Sequence, residues 1–512
     1  MPGQGSAPSS QIAAFRSDGF TAQTGLRLQF FTEGFARAYG LPETRLVNMI
    51  SEQTPIREER PYTAFVGLRE VHYSRPGLVT GLNRGAGPIR CAFTAPPLLG
   101  GFKVVVSGGT AYNADTNTAI GAIGGTDMVR FAISRGQMVI VAGGSAYLYD
   151  ATTGGAFAPI TGTPLGIVID VVYLHSRFVY ALQATDTFYW SNINDAANIG
   201  GLSFATAEAF PDNIVALGVL NDELLIFGSG SVETWDSNTD ANAPFTPVRG
   251  KGYQRGCAAR DATAFVDNAL VWIGDNRVIY ATKQTPDRIS SPAMEDKLRQ
   301  CANIGACTAW TAILNGHELY VLNIPGIGSY AYDASRAGSG GGYTPANAAG
   351  RGEWSEWQSW NRTGFRGRCS MNVGGTVYVG DDTTNDIWTL NTGVFTDGGL
   401  PLVRVASAFI KIEEGTPRCD NLVLHCVQGV GNAVDPGLKP VAELRYSDDQ
   451  GRTFTDWRTA PLGGQGIYDE MRASWRRLGQ MRAPGRLLEV RVADPVNAVF
   501  SHLELNASRP EN

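Results

Sequence analysis

Two stretches of this 512-residue chain place reactive residue types at suggestive spacings. Ser447, Asp449, Gly451, Thr453 and Phe454 fit the pattern S-x-D-x-G-x-T-[FW], an Asp-box. In such a box the carboxylate and the glycine hold a hairpin turn and the aromatic ring plugs the core. Sialidases carry several boxes together with an arginine cluster. One box alone predicts a structural turn. The second stretch is residues 471–491, where Arg472, Arg476, Arg477, Arg482, Arg486 and Arg491 face a single acid, Glu489. That density suits a solvated face or an intersubunit ion-pair surface, or contact with DNA passing by.

Other candidates fail on spacing. Gly228-Ser229-Gly230 lacks the third glycine of G-x-G-x-x-G, because position 233 is Glu, and no helix follows it. The five histidines (His72, His175, His317, His425, His502) are scattered without metal-ligand spacing. The seven cysteines contain no CxxC pair, so free buried thiols in a reducing compartment are expected. No G-x-S-x-G occurs. The chain therefore predicts no catalytic, cofactor-binding or metal-binding residue.

The elements around these residues are strands. Three hairpins start at residues 177, 223 and 269, a constant spacing of 46. Each joins two β-branched or aromatic runs across a polar break, such as Leu224-Leu225-Ile226-Phe227, Gly228-Ser229-Gly230-Ser231, Val232-Glu233-Thr234-Trp235. Further hairpins lie at 102–115, 138–150, 318–333 and 376–391, making seven. At about 42 residues per unit they fit the four-stranded blades of a propeller. The fold class is thus all-β: a β-propeller with seven blades favoured and six or eight possible, followed by a β-sandwich. The expected boundaries are an N-terminal extension 1–45, a lead-in segment 46–99 partly closing the propeller, the propeller 100–392, and the sandwich 393–512. A strand from before residue 102, at 88–93, is expected to pair with the last blade, because an open propeller leaves edges unpaired. A short helix is expected within 286–300, with Ser290 or Ser291 as N-cap and Pro292 at its first position. Another is expected at 28–39, and the Gly/Ser-rich stretch 336–352 should be a loop.

The central stretch also carries a resemblance. Phe188-Tyr189-Trp190-Ser191, Phe204-Ala205-Thr206-Ala207-Glu208, Pro211-Asp212-Asn213-Ile214-Val215 and Glu223-Leu224-Leu225-Ile226-Phe227-Gly228 occur in order. Val232-Glu233-Thr234-Trp235, Ala243-Pro244-Phe245, Gly256-Cys257 and Trp272-Ile273-Gly274 follow, and Leu46-Val47-Asn48-Met49, Arg75-Pro76-Gly77-Leu78 and Gly87-Pro88-Ile89-Arg90 precede them. The set resembles the packaged-DNA stabilisation proteins of short-tailed phages, also called tail hub or nozzle proteins, over about residues 46–505. The resemblance implies a virion protein, made in the host cytoplasm, that forms a homo-oligomeric ring, hexameric in the family. Such a ring extends the channel of portal and adaptor, helps retain packaged DNA, conducts it at ejection and docks a tail needle and tailspikes or fibres. The alternative is a propeller-fold glycan-binding protein or sialidase-like glycosidase, which would need carboxylates, arginine and tyrosine converging at the channel mouth.

Composition bounds both readings. A formal net charge of −6 and a pI near 5.5 argue against nonspecific gripping of DNA and suit a conduit that duplex DNA touches only weakly. The polar first eleven residues lack the apolar core of a secretory signal, and no run of about 18 apolar residues marks a membrane span.

Overall fold

The computed structural model describes residues 13–15, 23–28, 30, 43–57, 66–207, 210–238, 240, 243–336, 354–467 and 473–508. The helix expected at 28–39 and most of the loop at 336–352 lie outside these residues. The chain divides into two compact units. One contains the described residues of 80–336 and 363–390; the other contains those up to 79, 354–362 and from 391 onward.

The first unit is the propeller. Seven sheets follow one another among the described residues. Blade 1 runs Ile89–Thr94, Lys103–Ser107, Thr110–Asn113, Thr118–Ala122, and blade 2 runs Arg130–Ile133, Gln137–Ala142, Ser145–Asp150, Ala156–Pro159. Blade 3 is Val168–Leu174, Arg177–Leu182, Thr187–Trp190, Phe204–Thr206; blade 4 is Ile214–Leu220, Glu223–Gly228, Val232–Ser237, Phe245–Pro247. Blade 5 is Ala264–Val266, Ala269–Ile273, Ile279–Thr282, Pro286–Arg288, and blade 6 is built on Thr308–Leu314, His317–Ile324 and Gly328–Asp333. Blade 7 is Gly367–Val373, Thr376–Asp381 and Asp386–Asn391, completed by Gly77–Asn83.

All seven hairpins read from the sequence are the second and third strands of these blades. The first strand of each blade is the innermost. In blades 3 to 7 it enters the second through a two-residue turn whose residues both have positive φ: His175-Ser176, Asn221-Asp222, Asp267-Asn268, Asn315-Gly316 and Gly374-Gly375. That is the backbone of a type I′ turn, whose twist matches antiparallel strands. Neighbouring blades share apolar cores. Val179, Phe188 and Trp190 of blade 3 pack with Leu217, Leu224 and Trp235 of blade 4. The ring closes where Ile89, Ala92 and Val105 of blade 1 meet Cys369, Met371 and Ile387 of blade 7.

Strand exchange does close the propeller, but the strand expected to do it is a different one. Residues Ile89–Thr94 pair within blade 1, Ala92 opposite Val105. The closing strand is Gly77–Asn83, seated beside Asp386–Asn391. Its Gly81 lies so close to Ile387 O that a Cβ there would approach within 2.9 Å, so glycine permits the pairing. The sequence 88–93 reads as the stronger strand because it is buried on both faces. The actual closing strand is buried only at Gly77 and Leu78 and leaves Thr80, Gly81 and Asn83 exposed.

The second unit has two sheets over one core. In one, Arg404–Ile412 pairs with Leu46–Val47 and Gly485–Val492, which continues to Val441–Ser447 and Arg458–Pro461. In the other, Val499–Ser508 pairs with Arg418–Cys426, Gln23–Leu28 and Val66–Ser74, flanked by Met49–Arg57 and Ser474–Gln480. Alternate residues of both sheets (Ala406, Ala408, Ile410, Leu488, Val490; Leu422, Leu424, Leu503, Leu505) share one buried cluster. We read this as the β-sandwich. The division differs from the expected boundaries: the described residues of 46–76 group with the C-terminal strands, and the propeller takes in Gly77–Asn83 ahead of the expected start at 100. Polar runs such as Glu52-Gln53 and Arg69-Glu70 hide those strands.

The one α-helix among the described residues, Pro292–Gln300, is capped by Ser291, whose hydroxyl accepts from Met294 N. The expected start was too early because Pro286–Arg288 is the outer strand of blade 5.

Blade 7 holds an acid-sensitive turn. The Asp381 side chain is fully buried. Burial pushes its pKa up, but amides of Thr383 and Thr384, the Trp388 indole and Arg366 outweigh that and bring it down to about 2. Arg366 Nε donates at 2.6 Å and Trp388 Nε1 at 2.9 Å. With a folded pKa below the unfolded value of about 3.9, this carboxylate stabilises the protein above pH ~4. The contribution, about 2 kcal/mol, is lost as pH falls through 2. Thermal melts from pH 6 to 2 should show Asp381→Asn less stable than wild type at pH 6, with the gap closing toward pH 2. A constant gap would contradict the assignment.

Candidate functional site

The inner strands bring charge to the propeller axis at the end where each of them begins. Arg90 opens blade 1, Arg130 blade 2, Asp170 blade 3 and Arg368 blade 7, while Arg260 and Asp261 stand on a 3₁₀ turn leading into blade 5. Arg130 grips Asp170 with two bonds, Nε at 2.8 Å and Nη2 at 3.1 Å. The same carboxylate accepts Val171 N at 2.8 Å and Leu217 N at 2.9 Å, so one buried acid ties blades 2, 3 and 4. Arg260 pairs with Asp261 (2.8 and 3.0 Å) and reaches over to Ile169 O at 2.8 Å and Met128 O at 3.4 Å. Those acceptors belong to blades 3 and 2, which do not adjoin blade 5. The side chain therefore crosses the axis.

Arg90 is almost wholly buried and spends its donors on Asp127 O, Gly108 O, Gly124 O and the Asp127 carboxylate, at 2.7 to 3.2 Å. Burial lowers its pKa, Asp127 partly restores it, and the nearby charge of Arg368 lowers it again. Arg130 and Arg260 go the other way: burial opposes their charge, but Asp170 and Asp261 more than compensate. Arg368 donates Nε to Met128 Sδ at 3.0 Å.

At the far ends of the inner strands, Phe265 of blade 5 is 51% and Ile313 of blade 6 is 56% exposed.

Carboxylates and arginines thus converge at the channel mouth, as a glycosidase would require, but in another arrangement. Asp170 and Asp261 are each clamped by an arginine, and Asp170 also by backbone amides, so they serve as struts rather than as an acid and base flanking a substrate. Among the described residues no group of three or more His, Cys, Asp or Glu could hold a metal.

The sequence candidates lie elsewhere and are largely self-satisfied. In the Asp-box, Asp449 Oδ1 accepts Arg452 N (3.0 Å) and Thr453 N (2.8 Å), Oδ2 accepts Thr453 Oγ1 (2.6 Å), and Ser447 Oγ donates to Asp449 and accepts Gly451 N. These bonds hold the carboxyl below the usual range, and Gly451 takes φ +83°. We read the box as a structural turn. Phe454 departs from expectation: it is half-buried and carries the Arg445 guanidinium on its face at 4.1 Å instead of plugging the core. The amides after Gly228 hold the Asp212 carboxylate, Gly230 N at 2.6 Å and Ser231 N at 2.9 Å, where a phosphate loop would hold phosphate.

The arginine stretch splits. Arg486 is buried on Asp448, Leu478 O and Gln480 O, and Arg491 pairs with Glu443 and stacks on Trp457. Arg476, Arg477 and Arg482 are exposed, and Arg472 lies outside the described residues. The histidines pair locally, His317 with Asp333 and His425 with Glu504. Six cysteines are buried and Cys426 is half-buried; burial pushes the thiols of Cys91, Cys257, Cys307, Cys369, Cys419 and Cys426 up, away from the reactive thiolate.

Sequence reasoning missed the axial lattice, although one signal was there. Arg90, Arg130 and Asp170 are spaced by 40 residues, a charge recurring where apolar inner strands begin.

Comparisons with known proteins agree with this architecture. Propeller structures similar to the chain include Cps50 (Swd1) of Myceliophteria_thermophila, 11% identical over 61% of this chain and 100% of that one, with a TM-score of 0.39. A further solved structure similar to the chain is virginiamycin B lyase of Staphylococcus aureus, 8% identical over 67% of this chain and 99% of that one, with a TM-score of 0.38. Likeness at these scores carries no argument about function. The tail hub protein gp10 of Salmonella phage P22 is 24% identical over 255 residues, 46% of this chain. The match spans 53%, about half, of that relative's length. A family model described as "Bacteriophage P22 Gp10, beta-propeller" matches residues 41–394, from the strand Leu46–Val47 through the last blade, and the chain belongs to that family, which is not a family of enzymes.

Proposed function

We propose that the chain is a structural subunit of a phage tail hub, carried in the virion tail. Family membership over residues 41–394 is the observation that supports this reading. In it the subunits form a ring, a hexamer, that continues the channel below portal and adaptor, retains packaged DNA and conducts it at ejection. The ring also docks a tail needle and tailspikes or fibres.

The geometry constrains how such a ring would work. Arg260 crosses the propeller axis on hydrogen bonds of 2.8 and 3.4 Å. A duplex whose major groove alone is about 12 Å wide cannot thread that axis. The DNA lumen therefore lies between subunits, and the propeller is wall material. Its closed ring leaves few free strand edges, which suits a stiff wall. The net charge of −6 repels the phosphate backbone on average, so DNA slides instead of sticking. The exposed Arg476, Arg477 and Arg482 touch it at most locally, with contacts that weaken steeply in salt.

The test is mass in solution, measured with and without the adaptor ring. Closed heterologous rings form by rotation, so a discrete oligomer of six copies on the adaptor is expected. A chain that stays monomeric with the adaptor present would sink the proposal. Turnover of a sialoside, abolished by replacing one axial carboxylate, would sink it equally.

A further inference from the structure

We propose that the charged mouth of the propeller axis binds a compact oxyanion, of the phosphate or carboxylate type, on Arg368. Four arginines (Arg90, Arg130, Arg260, Arg368) and three aspartates (Asp127, Asp170, Asp261) meet there, an excess of one positive charge among them. Three of the guanidiniums are satisfied. Arg90 makes four bonds to backbone and Asp127, Arg130 takes both oxygens of Asp170, and Arg260 takes both oxygens of Asp261 and two carbonyls.

Arg368 is the exception. Its one hydrogen bond is from Nε to the thioether of Met128, a weak acceptor. Its two terminal nitrogens have no protein acceptor among the described residues. The side chain is half-buried and no carboxylate pairs with it. Its charge also presses on the buried Arg90, whose pKa it lowers. An oxyanion set on the free fork of the guanidinium would offset that repulsion, and planar paired N–H groups match two oxygens of phosphate or carboxylate.

The mouth is open to such a ligand and closed to a large one. Asp127 at its rim is 41% exposed, so small solutes reach it from solvent. Arg260, which bonds the carbonyl of the same Met128 whose sulfur contacts Arg368, bars the axis to a polymer.

The experiment is thermal unfolding of the full chain in an amine buffer, whose acid is a cation and whose base is neutral, at an ionic strength held constant with chloride. Inorganic phosphate is titrated in one arm and acetate in the other. Wild type should gain melting temperature with one or both anions and reach the logarithmic dependence of a single site. The arm with the larger gain identifies the class. Arg368→Gln should lose the gain, and without added anion it should be as stable as wild type or more so, since a repelling charge has gone. Arg368→Lys, a point charge without the fork, should keep a reduced gain. No anion-dependent gain in wild type, an equal gain in Arg368→Gln, or an Arg368→Gln chain that is destabilised or unfolded without anion would each overturn the proposal.

Discussion

Asp170→Ala should lower stability by about 3–5 kcal/mol, the cost of breaking a buried ion pair by removing one partner, and the melting temperature by roughly 10 °C. The side chain is fully buried. Its loss strands the Arg130 guanidinium and leaves Val171 N and Leu217 N without their acceptor. An unsatisfied buried donor costs about 1–3 kcal/mol on its own. Because those groups sit on blades 2, 3 and 4, the damage spreads over three of the seven blades rather than one turn. Asp170→Asn should fall between, since an amide oxygen still accepts but the charge on Arg130 is unmet. Denaturant unfolding followed by the fluorescence of Trp190 and Trp235, which pack between blades 3 and 4, reads the effect directly. A loss under about 1 kcal/mol for the alanine variant would show that the axial lattice does not hold the blades together.

The second large effect is expected in the other unit. Arg75 and Asp397 are 0% and 1% exposed and form two bonds, Nη1–Oδ1 at 3.0 Å and Nη2–Oδ2 at 2.5 Å. Arg75 also donates to Asn48 Oδ1 at 2.7 Å and Pro76 O at 2.9 Å, and its guanidinium lies over the Trp357 ring. Asn48 in turn donates to Gln358 O and Val403 O, so the pair fastens the segment near 48, the segment near 358 and the strand of Asp397. A second buried arginine, Arg404, hydrogen-bonds Leu402 O, Asp494 O and Val496 O and feels the same carboxylate at longer range. Burial pushes its pKa down to about 9, Asp494 and Asp397 act against that fall, and Arg75 adds to it. Asp397→Ala therefore leaves the buried Arg75 guanidinium without its carboxylate and removes an opposing charge near Arg404. A loss of about 4–5 kcal/mol, at the upper end for a broken buried pair, is expected, with proteolysis near residues 391–403 appearing in native conditions. If Arg75→Met with Asp397→Leu together restore most of the stability, the pair serves specificity more than stability, as buried pairs often do.

How far the sequence exposes this structure depends on which side of each strand is wet. The second and third strands of every blade were legible because runs such as Leu224–Phe227 and Val232–Trp235 are bracketed by glycine and serine. The innermost strands were not. Val168–Leu174 and Ile214–Leu220 pack against a neighbouring blade on each face, so their alternation is blurred. The turns that end them include His175-Ser176, a pair that carries no turn signal despite its two positive φ angles. The closing strand Gly77–Asn83 escaped notice because its partner is some 300 residues away, and no local pattern encodes such a pairing. The axial lattice was invisible for the same reason. Arg130 and Asp170 look like two isolated charges until the ring brings them within 2.8 Å. The arginine stretch after 471 was visible, but composition could not show that Arg486 and Arg491 were already committed to Asp448 and Glu443.

Retention of the genome tests the proposed tail role most directly. Particles of the encoding phage would be assembled with the wild-type chain, without it, and with Asp170→Ala, and the DNA kept per head measured after purification. The account predicts that heads lacking the chain fill and then lose their DNA, that the wild-type chain added back seals them, and that Asp170→Ala seals them poorly above its lowered melting temperature. Heads that keep a full genome without the chain would contradict it.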